Sequence, residues 1–188
     1  MCSFTQFSEF YSKFCSESEK SFSTIKMLVN RDFSGKVVLI TGSSSGIGAA
    51  AAEEFSRAGA QVVINGRNAE NLSEVGKQCL KVSPKGLKPL EVVADVSNEE
   101  DCQRIVDSTV EAFGRLDILV NNAGLGAMSS AEDPKVLEIF DKIMNLNVRS
   151  VVAMTQLSVK HLEKTKGNII NISSVAGLKP VSHYLINL

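Results

Sequence analysis

The sequence predicts an α/β fold in which a parallel sheet carries helices on both faces, a doubly wound arrangement. Three observations predict it. From Lys36 onward, short apolar runs rich in β-branched residues alternate with longer amphipathic stretches. The junctions between them carry glycines and helix-capping residues rather than two-residue hairpin signals. Strands separated by helix-length segments run parallel, because a crossover is needed to return the chain to the same edge.

The elements follow in order. Lys36 to Thr41 (KVVLIT) reads as a strand buried on both faces. A Gly/Ser loop comes next, then a helix to about Ala58, with Gly59 as its natural terminator. Gln61 to Asn65 (QVVIN) predicts the second strand, and Asn68 to Val82 a helix that Pro84 ends. Leu90 to Ala94 predicts the third strand. Ser97-Asn98-Glu99-Glu100 has the capping-box form, a Ser with a Glu three residues later. The helix it starts puts Cys102, Val106, Val110 and Phe113 on one face and stops at Gly114. Leu116 to Val120 (LDILV) predicts the fourth strand. One long helix is expected from about Pro134 to Lys164, and Gly167 to Ser173 (GNIINIS) predicts the fifth strand.

Composition narrows the function classes. The 188 residues suffice for one domain with a proper core, and 44% are hydrophobic. Twenty basic and 21 acidic residues give a net charge of −1, so there is no electrostatic case for nucleic acid or an anionic membrane surface. Cys2, Cys15, Cys79 and Cys102 are scattered, and neither His161 nor His183 stands beside one. That spacing argues against a disulfide framework or a zinc site and for a reducing, cytoplasmic compartment. No apolar run approaches the roughly 20 residues that span a bilayer. Residues 1–32 are rich in Ser and Phe and contain no Gly or Pro. They lack an apolar signal-peptide core, and Glu9, Glu17 and Glu19 argue against a mitochondrial presequence. We expect residues 1–32 to be a disordered extension and residues 33–188 to be the domain.

The first strand–helix junction reads Thr41-Gly42-Ser43-Ser44-Ser45-Gly46-Ile47-Gly48. Gly42 permits a tight turn, Gly46 lets backbone approach a pyrophosphate, and Gly48 lets the helix pack closely. Ser44, Ser45 and Ile47 lie within the same loop, where N–H groups and a positive helix end face the phosphates. Ser43 is a further candidate to reach phosphate. No Gly-Lys-Ser/Thr follows, so the loop is not a Walker loop.

At this loop the chain begins to resemble the short-chain dehydrogenases/reductases, and the resemblance extends from about Asp32 to Pro180. T-G-x-x-x-G-x-G is that family's cofactor motif. Asp95 resembles its adenine-contacting acid, and Asn121-Asn122-Ala123-Gly124 its N-N-A-G signature. Asn147 matches its helical asparagine, and Asn171-Ile172-Ser173-Ser174 the strand end bearing its catalytic serine. The resemblance implies a Rossmann-type dinucleotide domain, an oligomer when full length, and hydride transfer between a nicotinamide and a carbonyl or secondary alcohol carbon. Ser174 would orient the substrate oxygen and Asn147 would hold a water in the proton relay. Asn122, Ala123 and Gly124 would line the cofactor. Each motif also has a plain structural reading: Asp95 as a turn cap, Asn122 to Gly124 as a turn, Asn147 as a polar residue needing a partner in an apolar stretch, Ser174 as a strand-end residue.

The end of the second strand selects the cofactor. Asn65-Gly66-Arg67-Asn68 contains no acid to bind ribose hydroxyls, and Arg67 is placed to pair with a 2′-phosphate. NADP(H) is expected over NAD(H). The family's tyrosine–lysine pair is not matched. Tyr184 comes ten residues after Ser174, Leu188 stands where the lysine belongs, and the segment after Pro180 loses the pattern. On this reading the chain stops after the fifth strand, short of a complete active site. Two functions then compete: an NADP(H)-dependent oxidoreductase, and a non-catalytic module that binds dinucleotide or pairs with full-length subunits.

Overall fold

The computed structural model describes residues 32–127, 129–130 and 132–174. The chain runs β1 (Val37–Ile40), α1 (Gly46–Arg57), β2 (Gln61–Gly66), α2 (Ala69–Val82), β3 (Leu90–Val93), α3 (Glu99–Phe113) and β4 (Ile118–Asn121). It continues through α4 (Val136–Met144), a π-helical turn (Asn145–Arg149), α5 (Ser150–Thr165) and β5 (Asn168–Asn171). The strands form one parallel sheet in the order β3-β2-β1-β4-β5.

The alternation of side chains along β1 builds two cores. Val37 and Leu39 point to one face and join Val63, Leu119, Ile105 and Val106 of α3 and Met154 of α5. Val38 and Ile40 point to the other and join Val62, Ile64, Ala52 of α1 and Leu72 and Val75 of α2. The sheet is therefore covered on both sides, as the sequence predicts. Leu39 and Ile40 are fully buried, and each such side chain contributes roughly 1.5–3 kcal/mol.

At the N-terminal edge of the sheet one buried carboxylate gathers two loops. Asp117 accepts from Arg115 Nε (2.8 Å) and Nη2 (2.6 Å), from Lys36 Nζ (3.1 Å) and from the Val37 amide (3.0 Å). Burial pushes its carboxyl up, but these donors outweigh burial and hold it below the ordinary carboxylate range.

Three expectations are corrected. Ser97 is not the cap of α3. Asn98 has the extended backbone of an N-cap, and its carboxamide oxygen accepts from the Glu100 and Asp101 amides (2.8 and 3.2 Å). The Ser97 hydroxyl is drawn away by Asp95. The long helix from Pro134 to Lys164 is broken by the π-helical turn, which side-chain bonds to neighbouring loops pin open (below). The fifth strand is shorter than Gly167 to Ser173 and all four of its residues are exposed, because it is the outer strand among the described residues. Apart from Asp32, the expected extension lies outside the described residues, as do Tyr184 and Leu188. No described helix is long and apolar enough to cross a membrane.

Candidate functional site

The strand order turns back at β1: the chain crosses from β1 outward to β2 and β3, then returns to place β4 on the other side. Such a reversal splays the loops at the strand C-termini and leaves a crevice between them. Here the crevice is a cleft of about 340 Å³. It is lined by Gly42, Ser44, Ser45 and Ile47 after β1, by Gly66, Arg67, Ala94, Asp95 and Val96 after β2 and β3, and by Asn122, Ala123 and Gly124 after β4. Asn65 and Leu146 complete the lining.

The two central loops are tied to each other by hydrogen bonds. The Thr41 hydroxyl accepts from the Asn122 and Ala123 amides (3.0 and 3.1 Å). The Asn122 carboxamide donates to the carbonyls of Thr41 (3.0 Å) and Gly42 (2.9 Å). This closeness explains two glycines. Gly42 has φ +63°, and a Cβ there would lie 2.7 Å from Ala123 Cα. A Cβ on Gly48 would fall on Asn122 Nδ2 and the Gly42 carbonyl. Gly48 therefore packs against the two loops as well as closing the helix on the strand. Neither Gly46 nor Gly48 lines the cleft; they set the path of the loop that does.

The start of α1 differs from those of its neighbours. Ser45, its N-cap, makes no side-chain capping bond, and the first turn holds no acid. Asn68 and Asn98 cap α2 and α3. The positive end of α1 thus meets the cleft without a neutralising side chain.

Ser43 does not reach the cleft, contrary to expectation. It is fully buried, donates to the Ile40 carbonyl (2.9 Å) and accepts from the Asn65 amide (2.9 Å). Its partner Asn65 is a site residue that sequence reasoning missed. Asn65 is 1% exposed, donates to the carbonyls of Val92 and Ala94 (both 3.1 Å) and accepts from the Gly42 amide (3.4 Å). It braces the glycine loop against β3. The available signal was an amide at the end of an otherwise apolar strand, which requires buried partners.

Arg67 projects from the end of β2 with its side chain 74% exposed, and Nη1 stands 3.7 Å from Asp95 Oδ2. The other Asp95 oxygen accepts from the Ser97 amide (3.0 Å) and hydroxyl (2.7 Å). Burial pushes the Asp95 carboxyl up, while the Ser97 bonds and the Arg67 charge bring it below the ordinary range. Gly66 leaves room for Ser44, whose Cβ and Oγ would lie 2.7 and 2.8 Å from a Cβ at that position.

Asn147 lies in the π-helical turn. Its carboxamide oxygen accepts from the Leu125 amide and its nitrogen donates to the Leu125 carbonyl, both at 2.9 Å. The partner that its apolar surroundings demand is thus the loop after β4. Asn121 donates to the Asn171 carboxamide (2.9 Å), its register partner on β5. Ser174 follows β5 by three residues and is exposed.

A protein-family model described as short chain dehydrogenase matches residues 36–186. The chain belongs to the short-chain dehydrogenase family. The match runs beyond Pro180, where the sequence reading ended the resemblance, and takes in Tyr184. Among curated short-chain dehydrogenase relatives, an 11-beta-hydroxysteroid dehydrogenase-like 4A of Arabidopsis thaliana is 43% identical over 164 residues, 87% of this chain and 50% of the relative. The crystal structure of a glucose dehydrogenase of Caenorhabditis elegans in the apo form is 46% identical, with a TM-score of 0.67 over 77% of this chain and 56% of that one. An L-sorbose reductase from Gluconobacter frateurii, solved with NADPH and L-sorbose, gives a TM-score of 0.78 at 34% identity over 84% of this chain and 59% of that one. The chain spans about half the length of the curated relatives it matches.

Proposed function

We propose that the cleft binds NADP(H) and that the protein serves hydride transfer between this cofactor and a carbonyl or secondary alcohol carbon. The observation that carries the cofactor choice is Arg67. It stands at the end of β2, largely exposed to solvent, and the strand end Asn65-Gly66-Arg67-Asn68 itself carries no acid to bind ribose hydroxyls. A guanidinium fork suits a 2′-phosphate, and Ser44 lies close enough to Gly66 to add a hydroxyl. The residues present fit the rest of a dinucleotide. The uncapped start of α1 offers N–H groups to a pyrophosphate, and Ser44, Ser45 and Ile47 beside it line the cleft. Asp95 keeps Oδ2 turned toward Arg67 and can accept from an adenine amino group.

When bound, the cofactor supplies or takes the hydride. The chain's own part is to orient it, and in this reading Gly42, Ser44, Ser45, Gly46, Ile47, Gly48, Arg67, Asp95, Asn122, Ala123 and Gly124 do so. Ser174 orients the substrate oxygen, and Asn147 holds a water in the proton relay. The relatives' names span steroid and sugar chemistry, so the substrate class stops at carbonyl or alcohol. A homo-oligomer and a reducing, cytoplasmic compartment belong to the proposal. The scattered spacing of Cys2, Cys15, Cys79 and Cys102 supports the compartment.

Fluorescence titration with NADPH and NADH tests the cofactor reading. Arg67→Ala should weaken NADPH at least about tenfold and leave NADH nearly unchanged, the signature of one lost charge-assisted pair. Equal losses for both cofactors would remove the 2′-phosphate role. A second reading, dinucleotide binding without turnover, is favoured by Leu188 at the position of the family's lysine. NADPH oxidation against a panel of ketones separates the two, since binding without oxidation selects the second.

A further inference from the structure

Asn145, Asn147 and Arg149 alternate along the π-helical turn; the two asparagines grip loops beside the cleft, and Arg149 grips the first residue of α3. Asn145 Nδ2 donates to the Ser97 carbonyl (3.1 Å), 48 residues away in sequence. Asn147 makes its paired bonds to Leu125. Arg149 reaches Glu99 Oε1 with Nε (3.2 Å) and Nη2 (2.8 Å). Residues two apart on a helical turn point to opposite sides, so one short turn spans the loop after β3 and the loop after β4. Leu146, between the two asparagines, lines the cleft itself.

We propose that Asn145 is a positioning residue that ties the adenine end of the cleft to Asn147. The inference rests on the NADP(H) reading, which puts adenine beside Asp95. The connection is continuous. The Ser97 amide and hydroxyl hold Asp95 Oδ1, the Ser97 carbonyl receives Asn145, and two residues on Asn147 holds both polar atoms of the Leu125 backbone. Ser97 therefore serves the acid with its donors and the π turn with its acceptor. A widened helical turn is uncommon and persists where surrounding groups fix it, frequently at functional sites. Of the two links from the turn toward the β3–α3 junction, the Arg149–Glu99 pair reaches the start of α3, is 69% exposed at both ends and holds little. Asn145 is half-buried and is the firmer of the two. Ordering of the Asp95 loop by adenine then steadies the turn that presents Asn147, before the nicotinamide end is engaged.

The test uses adenosine 2′,5′-bisphosphate, which fills the adenine end and cannot reach Leu125. The reporter is hydrogen exchange at the Leu125 amide, which donates to Asn147. In the unaltered chain, saturating probe should slow this exchange at least about threefold. Asn145→Asp keeps the shape and removes the donor. It should bind the probe within about twofold of the parent yet lose the protection at Leu125, while Asn145→Gln, which retains a donor, should restore part of it. Probe that binds the unaltered chain without protecting Leu125 overturns the proposal and leaves the cofactor reading standing. Full protection in a folded, saturated Asn145→Asp chain overturns it as well. Failure of the probe to bind the unaltered chain removes the cofactor reading and this inference with it.

Discussion

The two ends of the sheet use polar groups in opposite ways. At the N-terminal edge, Asp117 is 2% exposed and receives four hydrogen bonds, from Arg115, Lys36 and the Val37 amide. The buried charge there is answered within the protein. At the C-terminal edge, Arg67 is 74% exposed with its acid 3.7 Å away, and α1 begins without a side-chain cap. The difference teaches where to look for stability and where for binding. Groups satisfied inward hold loops together, whereas groups satisfied incompletely are available to a ligand.

That contrast can be broken or sharpened by substitution. The largest effect is expected for Gly48→Val, whose side chain would collide with Asn122 and the Gly42 carbonyl. NADPH affinity measured by fluorescence should fall about a hundredfold or more, and unchanged affinity would mean the C-terminal edge is not the binding edge. Asp117→Ala strikes the other edge. Urea unfolding should show a loss of about 2–3 kcal/mol, tempered because its cations are half exposed, with NADPH affinity of the folded fraction unaltered. A pH effect follows from the same carboxylate. Its folded value lies below the unfolded value of about 3.9, so its stabilisation is full above that pH and is lost as pH falls through the folded value. Acid unfolding below about pH 4 should be shallower in Asp117→Asn than in the parent. The smallest effects compare helix starts. Asn98→Ala should cost about 1 kcal/mol in thermal or urea unfolding, and Ser45→Ala almost nothing, because only the first removes capping bonds. A comparable loss at Ser45 would mean that α1 is capped after all.

Much of the cleft at the C-terminal edge was legible because its lining depends on local spacing. The glycines, the Asn122 to Gly124 signature and the acid-free end of β2 sit in short loops whose geometry follows from sequence neighbours. Asn65 and Ser43 were not legible in role. Both are buried, and their partners, the Ile40 carbonyl for Ser43 and the Val92 and Ala94 carbonyls for Asn65, are set by the packing of the glycine loop and of β3 against β2, contacts no local pattern encodes. The break at Asn145 was hidden because a π turn leaves the apolar periodicity on either side almost intact. Ser97 and Asn98 are both good caps, and the choice between them was made by Asp95, which competes for the serine. The Asp117 cluster joins Lys36 to a carboxylate 81 residues later, so it was beyond any local reading.

The bonds between Thr41 and Asn122 bear on how the protein comes to be made. The glycine loop leaves the ribosome some eighty residues before the carboxamide that will satisfy its carbonyls. Until then β1 can pair with β2 alone, and the strand that forms its other edge does not yet exist. Closing so long a loop is slow, and the apolar edge of β1 stays open to wrong partners meanwhile. A nucleotide that needs both loops cannot assist the early stages. If the cleft holds NADP(H) as proposed, the nucleotide acts as a ratchet on the last one, drawing the population toward chains in which β4 has docked.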